Sequence, residues 1–258
     1  MTDEKRNIVV PGETVVKGLD FLPGEGTYRN GEAINSAYFG IASTRGRLVK
    51  VIPLSGRYLP KEGDKIIGVI EEVRYSSWSV DINSPYEASL LVSDAVEQYI
   101  DLNRDKLTKF FDMGDTFICK VRSADPNGGV MVSLRGPGFH KLRDGHLIEV
   151  NPAKIPRIIG KNGSMISLIK RGTDCQIFVG QNGRIWISGD KDKEPLVIQA
   201  IKKVESESHM PGLTDKIREM FGLPPETEAE RKAAESFEEE QEPPVPAGGY
   251  TEAERGEE

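Results

Sequence analysis

Residues 155–170 read IPRIIGKNGSMISLIK, with Gly160 and Gly163 three apart between two isoleucine-bearing runs and with Lys161 and Asn162 enclosed by them. Glycine tolerates positive φ, so the pair can simply end one helix and begin another. The missing side chains also let a sugar-phosphate backbone approach closely, with Lys161 and the free amides of the next helix facing the phosphates. The tetrapeptide alone admits both readings.

The flanks separate them. Upstream, GHLIEVNPAKIP (145–156) offers a strand over 147–150, and Pro156 suits an early helical position. Downstream, Ser164 is placed to cap a helix carrying Met165, Ile166, Ile169 and Lys170. Next, CQIFVGQNGRIWISG (175–189) reads as two strands around a Gln-Asn-Gly turn. EPLVIQAIKKVESES (194–208) closes as a helix with Leu196, Ile201 and Val204 on one face and Val197 and Ala200 beside them. The order strand, helix, helix, strand, strand, helix resembles a KH domain of the first type, and IIGKNGSMI is similar to that family's Ile-Gly-x-x-Gly-x-x-Ile core. The resemblance implies that Gly160, Lys161, Asn162 and Gly163 clamp about four nucleotides, with Arg157 as a nearby phosphate partner.

Before this segment, apolar and polar residues alternate over 66–73, 78–82, 90–92, 116–121 and 130–134, the pattern of five strands. A polar, partly helical insertion over 94–114 separates the third from the fourth, which fits a five-stranded OB-type barrel. Such barrels stack single-stranded bases on aromatics beside a basic groove. Arg74, Tyr75 and Trp78 fall at the stacking face; Lys120 and Arg122, out of phase with Cys119 and Val121, point outward and are expected to converge on it. For Trp78 the competing reading is inward packing with Val80 and Ile82. GVIEEVRYSSW, ASLLVS and GDTFICKVRSADPNGGVMVSL resemble the S1 RNA-binding domain, except that Leu91 stands where such domains often carry a histidine.

From Ile8 to about Gly63 short β-branched runs alternate with glycine and proline turns, which indicates a small all-β unit with little core of its own, suited to docking. The other end is acidic: residues 223–258 hold 12 acidic and 3 basic side chains, so of the net −7 the first 222 residues carry +2. That composition, rich in proline and glutamate, predicts a disordered tail.

Little supports catalysis. The three histidines form no metal-ligand spacing with cysteines or carboxylates, and Cys119 and Cys175 lie far apart with no CxxC neighbour. Asp190 and Asp192 belong to a charged turn that needs no metal, and neither a phosphate-binding loop nor a nucleophile-elbow serine occurs. The expectation is a protein with no catalytic residues, no metal and no cofactor. No apolar run approaches a bilayer span, and the first residues lack a signal-peptide core, so a cytoplasmic, non-membrane protein is expected.

The divisions are therefore 1–63, an N-terminal β docking domain; 64–136, an S1 barrel; 137–222, a KH domain with a C-terminal helix; and 223–258, the tail. The fold class is multidomain, mainly β with α+β. Together with VVPGE, GEGTYRNG, VIPLSGRYLPKEGDKIIGVI and WSVDINSPY, this order resembles the RNA-binding cap proteins of the archaeal exosome, of the ribosomal-RNA-processing type. That resemblance implies a trimer of caps on a ring of RNase-PH-type subunits, with single-stranded RNA led to 3′-to-5′ phosphorolysis inside the ring. Polynucleotide phosphorylase carries KH and S1 in the opposite order behind catalytic cores for which this chain is too short. An elongation factor with one S1 and two KH modules needs more chain than the short helix that can follow Ser208. A stand-alone S1/KH protein associated with translation or transcription is the remaining alternative.

Overall fold

The computed structural model describes residues 7–96, 106–125, 129–208, 210 and 212–224. The predicted tail, apart from Leu223 and Pro224, and the middle of the 94–114 insertion lie outside the described residues.

Frequent glycine turns cut the N-terminal segment into seven strands: β1 Asn7–Val9, β2 Thr14–Lys17, β3 Leu22–Pro23, β4 Thr27–Asn30, β5 Ala33–Ser36, β6 Gly40–Arg45 and β7 Leu48–Pro53. They form two small sheets, in the orders β1-β6-β7-β3 and β2-β5-β4. The hairpins β4–β5 and β6–β7 turn at Gly31 and Gly46, whose φ values of 59° and 58° fit the first position of a tight hairpin turn. One of its buried clusters is just Val9, Ala42 and Val51 with Val15 against them.

The barrel strands are β8 Lys65–Val73, β9 Ser77–Asp81, β10 Ala88–Leu91, β11 Thr116–Ala124 and β12 Val130–Ser133. They close in the order β10-β12-β11-β8-β9, with β10 and β12 parallel and the other pairs antiparallel. A one-turn helix, α1 Val92–Ala95, follows β10. The interior holds Ile66, Ile70, Trp78, Val80, Leu90, Phe117, Cys119 and Val121. Gly68 makes room for them: a Cβ there would sit 2.6 Å from Val80 Cγ1 and 3.0 Å from Phe117 Cζ. Burial pushes the Cys119 thiol pKa up, so it stays a neutral packing group.

The third unit follows the expected order: β13 His146–Glu149, α2 Ile155–Ile159, α3 Ser164–Thr173, β14 Gln176–Val179, β15 Arg184–Ser188 and α4 Glu194–Ser206, then α5 Leu213–Met220. Its sheet runs β13-β15-β14, all antiparallel. Two local expectations change. Ser164 is the first residue of α3 rather than its cap; Gly163, left-handed at φ 77°, holds the cap position because the glycine turn leads straight into the helix. Leu196 is 43 % exposed, and the buried stripe of α4 is Val197, Ala200, Ile201 and Val204.

Helices pack on one face of this sheet through Ile177, Ile185 and Ile187. The alternate residues Phe178 and Trp186, cross-strand neighbours, face the other way and meet Ile67 and Ile118 of the barrel together with Phe139 and Leu142. The barrel thus covers the helix-free face of the sheet. Polar contacts fix the junction. Asn182, fully buried in the β14–β15 turn, donates Nδ2 to the carbonyls of Ile67 (2.8 Å) and Ile82 (2.9 Å), and its Oδ1 accepts from Ile67 N at 3.3 Å. Gln181 N donates to Lys65 O, and its Oε1 accepts from Lys65 N. Arg184, buried, donates Nη1 to Asp81 O at 2.7 Å and Nη2 to Asp81 Oδ2 at 2.5 Å.

Candidate nucleic-acid interface

In the glycine loop, Gly160 takes φ 75°, Lys161–Gly163 form a single 3₁₀ turn, and Asn162 is left-handed at φ 51°. The two glycines answer different needs. A Cβ on Gly160 would lie 2.7 Å from Met165 N and 2.8 Å from Met165 Cβ, so packing against α3 by itself demands glycine there. Gly163 has nothing nearer than Ile166 Cγ2 at 3.9 Å; its outer side is open to a close-approaching backbone. Lys161 and Asn162 are exposed. Arg157, on α2, is exposed and donates to the Met210 carbonyl at 3.3 Å.

On the barrel, Tyr75 in the β8–β9 turn is 73 % exposed, with Arg74 N donating to Ser77 O across the turn. Arg74 is exposed but lies between Glu72 and Glu87, whose carboxylates push its guanidinium pKa up. Glu87 in turn is lowered by the Ser79 hydroxyl, 2.6 Å away, and by Arg74.

Trp78 must be withdrawn as a stacking platform. It is 0 % exposed, donates Nε1 to Phe111 O at 3.0 Å and meets the Phe111 ring edge to face at 5.6 Å between centroids. Its parity with Val80 turns the large ring into the barrel. The aromatic that sequence reasoning passed over is Tyr86, 38 % exposed in the β9–β10 loop beside Glu87. The Arg74–Glu87 pair brings that loop to the turn bearing Tyr75.

The expected convergence of cations on Tyr75 also fails. Lys120 and Arg122 do point outward, but Lys120 pairs with Lys65 at the opposite end of β8. Tyr75 lies beyond the other end of this nine-residue strand, roughly 26 Å along it at about 3.3 Å per residue. Arg122 donates Nη1 to the buried Asp94 at 2.6 Å and helps hold α1 to β11. Outward parity was legible; position along the barrel depended on register.

Residues 57–123 match the family model described as RRP4, S1 domain, and residues 145–193 match the KH domain model. The chain is 47 % identical to the Exosome complex component Rrp4 of Thermococcus kodakarensis over 219 residues, 84 % of this chain and 85 % of that one. The chain belongs to the Rrp4 family of exosome components. It is also 41 % identical to the Rrp4 component of Methanothermus fervidus over 218 residues, covering 84 % of this chain and 96 % of that one. A crystal structure described as an exosome complex RNA-binding protein superposes with a TM-score of 0.61 at 34 % identity, over 69 % of this chain and 99 % of its own. In this Rrp4-family chain the S1 and KH modules place the exposed Tyr75 and the exposed loop at Lys161 and Asn162 on one junction-locked body.

Proposed function

We propose that this chain is a non-catalytic RNA-binding cap that binds single-stranded RNA and guides it to a ring of RNase-PH-type subunits, where 3′-to-5′ degradation takes place. Three copies sit on one ring, in the cytoplasm, and the chemistry belongs to the ring. The observation that carries the docking half is an apolar row on the N-terminal sheet. Ile8 faces Ile41 and Ile41 faces Ile52 across β1, β6 and β7, with Ile8 64 % and Ile52 58 % exposed. Two exposed isoleucines flanking the half-buried Ile41 give this small unit an apolar strip suited to being covered by a partner. The RNA half is supported by the exposed tyrosines of the barrel and by the open side of Gly163.

Native mass determination of the tagged protein, purified gently from its own cells, tests this reading. An assembly with three copies on RNase-PH-like subunits is expected, and Ile52→Asp should release the cap from it. A monomer that carries RNA with no ring partner overturns the docking reading in favour of a stand-alone S1/KH protein.

A further inference from the structure

A cleft of about 510 Å³ opens between the barrel and the KH sheet. This volume falls within the roughly 300–1,000 Å³ of small-ligand sites. Its floor is apolar and largely aromatic, built from Ile118 of β11, Phe139 of the connecting segment, Phe178 of β14 and Trp186 of β15. Lys65 and Lys170 also line it, and no carboxylate does, in a chain with 41 acidic and 34 basic residues.

Strand register adds a second sign of an anion. Lys65 stands directly opposite Lys120 in the β8–β11 ladder, where like charges repel. Among the described residues, the ammonium groups of Lys65, Lys120 and Lys170 have no hydrogen-bond or ion-pair partner. Flat apolar surface bounded by unneutralised ammonium groups complements a molecule with a planar ring and an adjacent anion.

We propose that this cleft holds one unpaired nucleotide of single-stranded RNA, its base against Phe178, Trp186 and Phe139 and its phosphates on Lys65 and Lys170. The assignment rests on the RNA-binding reading above and adds a contact apart from both expected ones. The length of β8 lies between Lys65 and Tyr75, and the cleft sits at the β14 edge of the KH sheet, where Lys170, its one lining residue from a helix, stands seven residues beyond Gly163, roughly 10 Å along α3.

The test uses the full chain and a single-stranded oligouridine probe carrying 5-iodouridine. Photocrosslinked peptides are mapped by mass spectrometry, and affinity is followed against salt for the wild type and for a Lys65→Gln, Lys170→Gln double variant. Crosslinks on Phe139, Phe178 or Trp186 are expected. So is a salt slope shallower by about 1.4 in the double variant, since each lost phosphate contact on a single strand removes about 0.7. An unchanged thermal midpoint shows that the variant remains folded. Crosslinks confined to Tyr75, Tyr86 or residues 160–163, with an unchanged slope, overturn the cleft and leave RNA binding intact. A wild-type chain that retains no probe at low salt overturns both.

Discussion

The side-chain amide of Asn182 pairs with both backbone groups of Ile67, donating to its carbonyl at 2.8 Å and accepting from its N–H at 3.3 Å. It does so where β9 has ended: the last β8–β9 partners are Val69 and Asp81. A turn residue of the KH hairpin therefore takes the place of a missing strand partner in the barrel, and its remaining N–H satisfies Ile82.

Asn182→Ala should destabilise the chain by about 3 kcal/mol, because it strands buried backbone groups of Ile67 and Ile82 at about 1–3 kcal/mol per unsatisfied group. Urea denaturation measures this. A loss below about 1 kcal/mol would mean that water replaces the amide and that the junction does not depend on it.

The Arg184–Asp81 pair gives a pH signature. Burial raises the Asp81 carboxyl, but the Arg184 guanidinium and the Asn83 N–H outweigh it and hold it below its ordinary 3.8. A depressed folded-state pKa adds stability above the unfolded value and loses it as pH falls through the folded one. The stability gap between wild type and Asp81→Asn should therefore be level from pH 8 to about 5 and close as pH drops below 3.8. A gap that persists at pH 2 would assign the effect to lost hydrogen bonding instead of charge.

Tyr75→Ala and Tyr86→Ala should each weaken single-stranded RNA binding by about five- to tenfold, the lower end of about 1–3 kcal/mol per stacked base, at unchanged stability. Trp78→Ala should instead cost about 3–5 kcal/mol of stability through the cavity it leaves. Fluorescence anisotropy with a labelled single strand, paired with thermal melts, separates the two classes. Full affinity in a folded double tyrosine variant would remove stacking from this face.

Within the glycine loop, Gly160→Ala should be clearly more destabilising than Gly163→Ala. Both incur positive-φ strain of order 1 kcal/mol, but only the first drives a methyl group into Met165. Aspartate at both Lys161 and Asn162 should lower RNA affinity in a stably folded protein by repelling phosphate. Unaltered affinity would leave the loop a purely structural joint between α2 and α3.

Strand count, barrel class and the KH order could be read from alternation and glycine placement, because those signals act over a few residues. What escaped depended on long-range register. Asn182 and Arg184 look locally like a hairpin turn and a solvent-facing strand position; only docking of the barrel on that face turns them into buried partners of Ile67 and Asp81. Trp78 carried the correct inward parity, but its place in an S1-like aromatic motif suggested exposure. Lys120 likewise pointed outward as its phase required, at an end of the barrel that no local pattern specifies.

The clasp at Asn182 also bears on avidity. Two nucleic-acid modules on a flexible tether share a strand at an effective concentration averaged over many geometries. Here the tether is replaced by a rivet, so the span between the exposed Tyr75 and the Lys161 loop is a single fixed distance. Under the proposed RNA-binding reading, a strand long enough to touch both points gains the multivalent advantage in one step, and a strand too short to bridge them gains none.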